Sequence, residues 1–223
     1  MEYSEENKFQ PKLVCNKGDM LLYEIMSPTL TNKAYNLKFD LKNLNTGKVD
    51  IDTFLSISIY ELLETLNTEL IEKIYILDIL NENETDICIL FKHIAKELGI
   101  KKKYIMFRTS KFVNKLNNSI TFYNKDLIYA QKDLIQKYSD TINLDTSLYD
   151  VMIFNFGKTQ INLYNNERQP FSIDSKNQPL IDAKFSMDFQ LTIEDDVPIY
   201  MSNIIGLMFK KMFYNVKLFI EKL

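Results

Sequence analysis

Tryptophan is missing from this chain, and histidine occurs once, as His93. A nucleophilic mechanism built on histidine would rest wholly on that residue, which argues against hydrolase chemistry and for a protein that is not an enzyme. Cysteine is nearly as scarce. Cys15 and Cys88 lie far apart and form neither a CxxC pair nor a disulfide framework, so two free thiols in a reducing compartment are expected. With His93 they are too few for a zinc set, and no cofactor is implied. Glycine and proline number five each in 223 residues. No run of them is long enough for a linker, so residues 12–223 are expected to form one globular domain behind a loose polar arm, residues 1–11. No apolar run approaches the roughly 18 residues of a membrane span. The acidic amino terminus also lacks the apolar core of a secretion signal, so an intracellular protein without a membrane partner is expected.

What is present is apolar bulk and lysine. The 46% of apolar residues suffices for a sizeable core, and the formal net charge is −3. The basic set comprises 25 Lys and 2 Arg, beside 21 Asn and 4 Ala, as codon usage in an AT-rich genome produces. Such a bias places lysine on surfaces that need only solubility.

Periodicity divides the chain. Segments 13–26 and 34–44 read as strands. Ser58 and Glu61 stand in capping-box spacing before Leu62, Leu63, Leu66, Leu70 and Ile74, which predicts an amphipathic helix. Ile87, Leu90, Phe91, Ile94, Ala95 and Leu98 follow helical spacing up to Gly99, a second helix with a left-handed cap. Residues 125–138 predict a third, capped by Asn124. From about residue 148 the period becomes twofold, most cleanly over 183–194, where Ala183, Phe185, Met187, Phe189, Leu191 and Ile193 alternate with polar residues. Segments 148–157, 159–165 and the carboxyl-terminal 212–223 are further predicted strands. The expected fold class is α+β, a mostly antiparallel sheet with about three amphipathic helices in the middle of the chain.

Three short motifs have bland readings that compete with chemistry. "FGKT" at 156–159 resembles the end of a phosphate-binding loop, but position 152 is Met where that loop needs Gly, so a turn between strands is expected. "DIDT" at 50–53 places two carboxylates at strand spacing without a supporting apolar strand. His93 is expected on a helix surface, paired with Glu97 one turn on.

The strongest functional signal is "KKKYIMFRTSKFVNKLNNSITFYN" at 101–124, which carries six basic residues, five aromatic ones and no acid. Without it the chain would hold 21 basic and 30 acidic residues, so the positive charge is localised. Cations that follow phosphates and rings that stack on splayed bases are the two needs of single-strand binding. Lys101, Lys102, Lys103, Arg108, Lys111 and Lys115 would supply the first, and Tyr104, Phe107, Phe112 and Tyr123 the second. Lys210 and Lys211 in the basic carboxyl-terminal segment would flank the same groove. The competing reading makes the rings core residues of strands and the lysines a solvated face.

The run Phe112, Val113, Asn114, Lys115, Leu116, Asn117, with the stretch to Tyr123, resembles a segment of the poxvirus-type single-stranded DNA-binding proteins of large nucleocytoplasmic DNA viruses. The resemblance implies an OB-like fold and non-catalytic binding of single-stranded DNA, or RNA, in viral replication or recombination. It also implies a host-cytoplasmic replication site. The chain departs from that pattern at its end, "KLFIEKL", where such binders often carry an acidic tail. "INLYNNE" and the carboxyl-terminal segment look like virion-associated proteins of giant viruses, and the alternative function is a structural or interaction protein packaged in the virion. In that reading the strand at 183–194 lies at a sheet edge and pairs with another copy, giving a homo-oligomer.

Overall fold

The structure, a computed structural model, describes residues 11–25, 32–45, 56–93, 96, 100–128, 132–165, 180–192 and 202–222. The "DIDT" segment and the amino-terminal arm to residue 10 lie outside them. In chain order the elements are β1 (Lys12–Lys17), β2 (Met20–Ile25), β3 (Asn32–Asn45), α1 (Ile59–Leu66), β4 (Ile71–Asn81) and β5 (Glu84–Phe91). There follow β6 (Lys102–Asn114), β7 (Ser119–Asp126), α2 (Lys132–Thr141), β8 (Tyr149–Val151), β9 (Ile153–Asn165), β10 (Leu180–Thr192) and α3 (Ser202–Ile220). Across the sheet the order is β1, β2, β3, β10, β9, β7, β6, β5, β4, every neighbour antiparallel, while β8 adds parallel to the start of β6.

Residue alternation decides which face of β10 is buried. Ile181, Ala183, Phe185, Met187, Phe189 and Leu191 are buried, and Lys184 between them is exposed. The strand is not at an edge. It pairs with β3 on one side and β9 on the other, so it has no free hydrogen-bonding side to offer another copy.

An OB-like barrel with helices in the middle of the chain is not what forms. Among the described residues the sheet is one open layer of ten strands, and all three expected helical segments change state in whole or part, the third because Asn124, Lys125 and Asp126 belong to β7 and its helix runs Lys132–Thr141. Ile87, Leu90 and Phe91 belong to β5, in which Thr85 through Phe91 are all buried. A strand covered on both faces loses its twofold alternation, and its continuous apolar run then matches helical spacing by accident. His93 lies exposed beyond the strand, with Nδ1 3.4 Å from the Ile100 carbonyl oxygen, and Glu97 is outside the described residues. In the first helix only Ile59–Leu66 is helical, and the Ser58 side chain makes no cap. Asn67 ends it instead, its fully buried amide donating to the Leu63 and Met212 carbonyls and accepting from Asn215.

The carboxyl-terminal segment, expected as a strand, is the longest helix. Ile205, Met208, Phe209, Met212, Val216 and Ile220 are buried at intervals of three and four along α3, the spacing of one helical face. That face lies over the inner face of the sheet with α1 beside it, and most of the buried side chains form one cluster there. On the outer face a smaller cluster joins Cys88, Leu90, Met106 and Tyr149 to Leu127 and Tyr138. Both cysteines are free, and burial pushes the Cys88 thiol up to about 12.

Two glycines permit close contacts. A Cβ on Gly157 would lie 2.5 Å from the Phe154 ring, which therefore folds against the strand backbone. "FGKT" thus sits inside β9 rather than in a turn, and its glycine makes room for a ring. A Cβ on Gly206 would lie 2.6 Å from the buried Tyr35 ring, itself held against Phe189 at 5.3 Å. In an exposed helix Gly→Ala would stabilise by about 1 kcal/mol. Here overpacking of roughly 1–3 kcal/mol opposes it. Gly206→Ala is therefore expected to lower the thermal midpoint, and a raised midpoint would show that α3 lies farther from β3.

Candidate functional site

A space lies between the sheet and α3. It is bounded by Phe39 and Leu41 of β3, Phe185 and Met187 of β10, Ile161 of β9 and Ile105 and Phe107 of β6. Ile59, Tyr60 and Leu63 of α1 and Phe209, Met212 and Val216 of α3 form the other wall. Sixteen of the twenty lining side chains are apolar, the exceptions being Tyr60, Asn124, Thr159 and Lys217. About 60 Å³ is open to the centre of a water-sized sphere. On that scale a water needs about 10–15 Å³.

Aromatic packing shapes this space. Phe107 lies 5.9 Å from Tyr60 and 5.5 Å from Phe154, and Phe209 lies 4.9 Å from Phe189. At the other end Phe185 stacks on Phe39 at 4.4 Å and meets Phe213 at 5.0 Å. Such pairs fix ring positions, while Met187 and Met212, unbranched and flexible, are the adaptable parts of the wall.

The polar lining is uncharged except at Lys217. The Lys217 ammonium is already committed, donating to Glu221 Oε1 at 2.5 Å, to the Asp40 carbonyl at 2.5 Å and to Asp19 Oδ2 at 3.2 Å. The Tyr60 hydroxyl lies 3.5 Å from Thr109 Oγ1 and 3.4 Å from Asn124 Oδ1. Burial raises its phenol to about 12 against the pull of those two contacts, so it keeps its proton. Among the described residues no group of three His, Cys, Asp or Glu side chains is placed to hold a metal.

The residues proposed for nucleic acid do not form one exposed track. Phe107 is buried in the cavity wall, and Tyr104 is half-buried in the outer cluster. Lys101, Lys102 and Lys103 are engaged by acids, the first and third by Asp150 at 3.2 and 3.6 Å and the second by Glu72 at 2.6 Å. Arg108 is held bidentately by Asp86, at 2.7 and 2.9 Å, and this hydrogen bonding raises its pKa further. Lys210 is buried, its ammonium 2.9 Å from Cys15 Sγ, and Lys211 pairs with Glu69 at 3.2 Å. Lys111 is half-buried on β6 and Lys115 sits in the exposed β6–β7 turn. Only Phe112 and Tyr123 present rings to solvent, edge to face at 5.5 Å.

The sequence matches no family model and no curated protein. Solved structures do match. Human StAR-related lipid transfer protein 5 aligns over 98% of this chain and 87% of its own, with a TM-score of 0.63 at 7% identity. The human StarD13 (DLC2) lipid transfer and protein localization domain aligns over 93% and 87%, with 0.60 at 7%. The STAR-related lipid transfer protein of Xanthomonas axonopodis aligns over 94% and 98%, with 0.56 at 9%. The fold is that of these lipid-transfer domains. It replaces the OB-like expectation. With the dispersal of the basic residues, it also overturns the reading of a single-stranded DNA-binding protein in viral replication, and with it the nucleic-acid partner. The edge pairing expected of a packaged structural protein falls too, because that strand is central in the sheet.

The lining residues that sequence reasoning missed were visible in part. Phe185 and Met187 stood in the cleanest alternation, and Phe209, Met212 and Val216 in a helical pattern that the last nine residues obscured. Nothing in the sequence indicated that these two patterns would face each other.

Proposed function

We propose that this protein binds a small apolar molecule of the lipid class in the space between the sheet and α3, as a non-catalytic carrier. The observation that carries the proposal is the cavity itself, lined by apolar side chains from eight elements where a native core is ordinarily close-packed. The likeness of the fold to domains described as lipid-transfer proteins supports it. Transport would need no acid, base or nucleophile, and among the described residues the committed Lys217 is the one charged group in the lining. The present space admits a short chain, and a longer one would enter as Met187 and Met212 change rotamer.

A neutral apolar dye such as N-phenyl-1-naphthylamine tests this. Its fluorescence should rise on saturable, one-to-one binding to the wild-type protein. Met187→Trp should fill the space and weaken binding by more than tenfold, with its indole, the only one in the chain, emitting as a buried group. Equal dye binding by a folded Met187→Trp variant would place the dye elsewhere and refute the proposal.

A further inference from the structure

The cavity carries a polar row that apolar enclosure does not explain. Thr109 of β6 pairs directly with Asn124 of β7, and Asn124 with Gly157 of β9, two residues before Thr159. On one sheet face such diagonal neighbours are about 7–8 Å apart. Thr109, Asn124 and Thr159 thus cross three adjacent strands, with the Tyr60 hydroxyl of α1 above the first two. All four residues are more than nine-tenths buried. Tyr60 has one proton for two acceptors. Among the described residues, neither the Asn124 Nδ2 donor nor the Thr159 hydroxyl has a side-chain partner. Both residues line the cavity, where a ligand that covered these groups without pairing them would lose roughly 1–3 kcal/mol for each.

Resting on the cavity-binding reading above, we infer that Asn124, Thr159 and Tyr60 form the subsite for a single uncharged hydroxyl, so that the ligand is a neutral lipid alcohol with its chain among the phenylalanines. A hydroxyl fits because it both accepts and donates. It takes a hydrogen bond from Asn124 Nδ2 and gives its own proton to Thr159 Oγ1 or the Tyr60 oxygen. A carboxylate or phosphate does not fit, since among the described residues no uncommitted cation faces the space and the Lys217 ammonium would have to leave Asp19 and Glu221.

The test is displacement of N-phenyl-1-naphthylamine by 1-octanol, octane and octanoate at neutral pH, in wild-type protein and in Thr159→Val and Asn124→Leu. The affinity ratio of octanol to octane should fall about 3- to 10-fold in each variant, as expected for loss of one neutral hydrogen bond. Octanoate should be the weakest competitor for the wild-type protein. The inference is overturned if the ratio is unchanged in both variants while the dye still binds, or if octanoate outcompetes octanol. Thr159→Val keeps the side-chain shape, so it reports even if Asn124→Leu does not fold. Failure of the wild-type protein to bind the dye would overturn the cavity reading itself.

Discussion

Phe209→Ala is expected to lower the free energy of unfolding by about 3–5 kcal/mol, the range for removing a buried ring. The ring is the centre of the contact between α3 and the sheet, 4.9 Å from Phe189, 5.9 Å from Phe154 and 6.2 Å from Phe91. Its removal would enlarge a space that is already open. The sheet cannot close on the gap, because β9 and β10 are each paired on both sides. A loss of that size is a large part of the roughly 5–15 kcal/mol that holds a domain folded. Urea unfolding followed by circular dichroism measures it, with Phe219→Ala, exposed on the same helix, as the control expected within about 0.5 kcal/mol. Equal effects of the two substitutions would show that α3 does not grip the sheet through this face.

The second large effect concerns the ion pair on the outer face. Arg108→Leu is expected to destabilise by about 3–5 kcal/mol, because it strands the Asp86 carboxylate, which has no exposed surface. Asp86 would keep the Tyr138 hydroxyl, 2.8 Å away, and lose both guanidinium hydrogen bonds. Replacing both partners by Leu should recover much of the loss, since the neighbouring Met106, Cys88 and Leu90 already make that region apolar. The double variant therefore separates a stranded charge from lost packing, and the cycle gives the coupling energy. If it were less stable than Arg108→Leu by a further 2 kcal/mol or more, the pair would not be an isolated unit. Arg108 thus belongs to the scaffold, although in the sequence it stands in the middle of the most basic stretch.

That stretch shows why the candidate site was only half legible. Strand β6 alternates cavity residues Ile105 and Phe107 with Tyr104, Met106 and Arg108 on the outer face, so the stretch is divided between two faces instead of forming one track. The neutralising acids are distant in sequence. Glu72, Asp86 and Asp150 reach Lys102, Arg108 and Lys101 across the fold. A count of charge along the chain finds the cations and misses their partners. Asn124 illustrates the same loss, since its sequence context predicts a helix cap and it is a buried residue of β7 that faces the cavity.

By itself the sequence determined the apolar mass, the scarcity of histidine and cysteine, and the inward face of the strand at 183–192, where each residue's side follows from the period of two. Only the tertiary structure decided that β5 is a strand and that residues 202–220 are a helix, for opposite reasons. Burial on both faces erased the alternation of β5, and a short alternating run at the end of α3 imitated one. The cavity is wholly a tertiary property. It lies where the side chains of β3, β5, β6, β7, β9 and β10 meet those of α1 and α3 without filling the space between, and no spacing along a chain records a volume left empty.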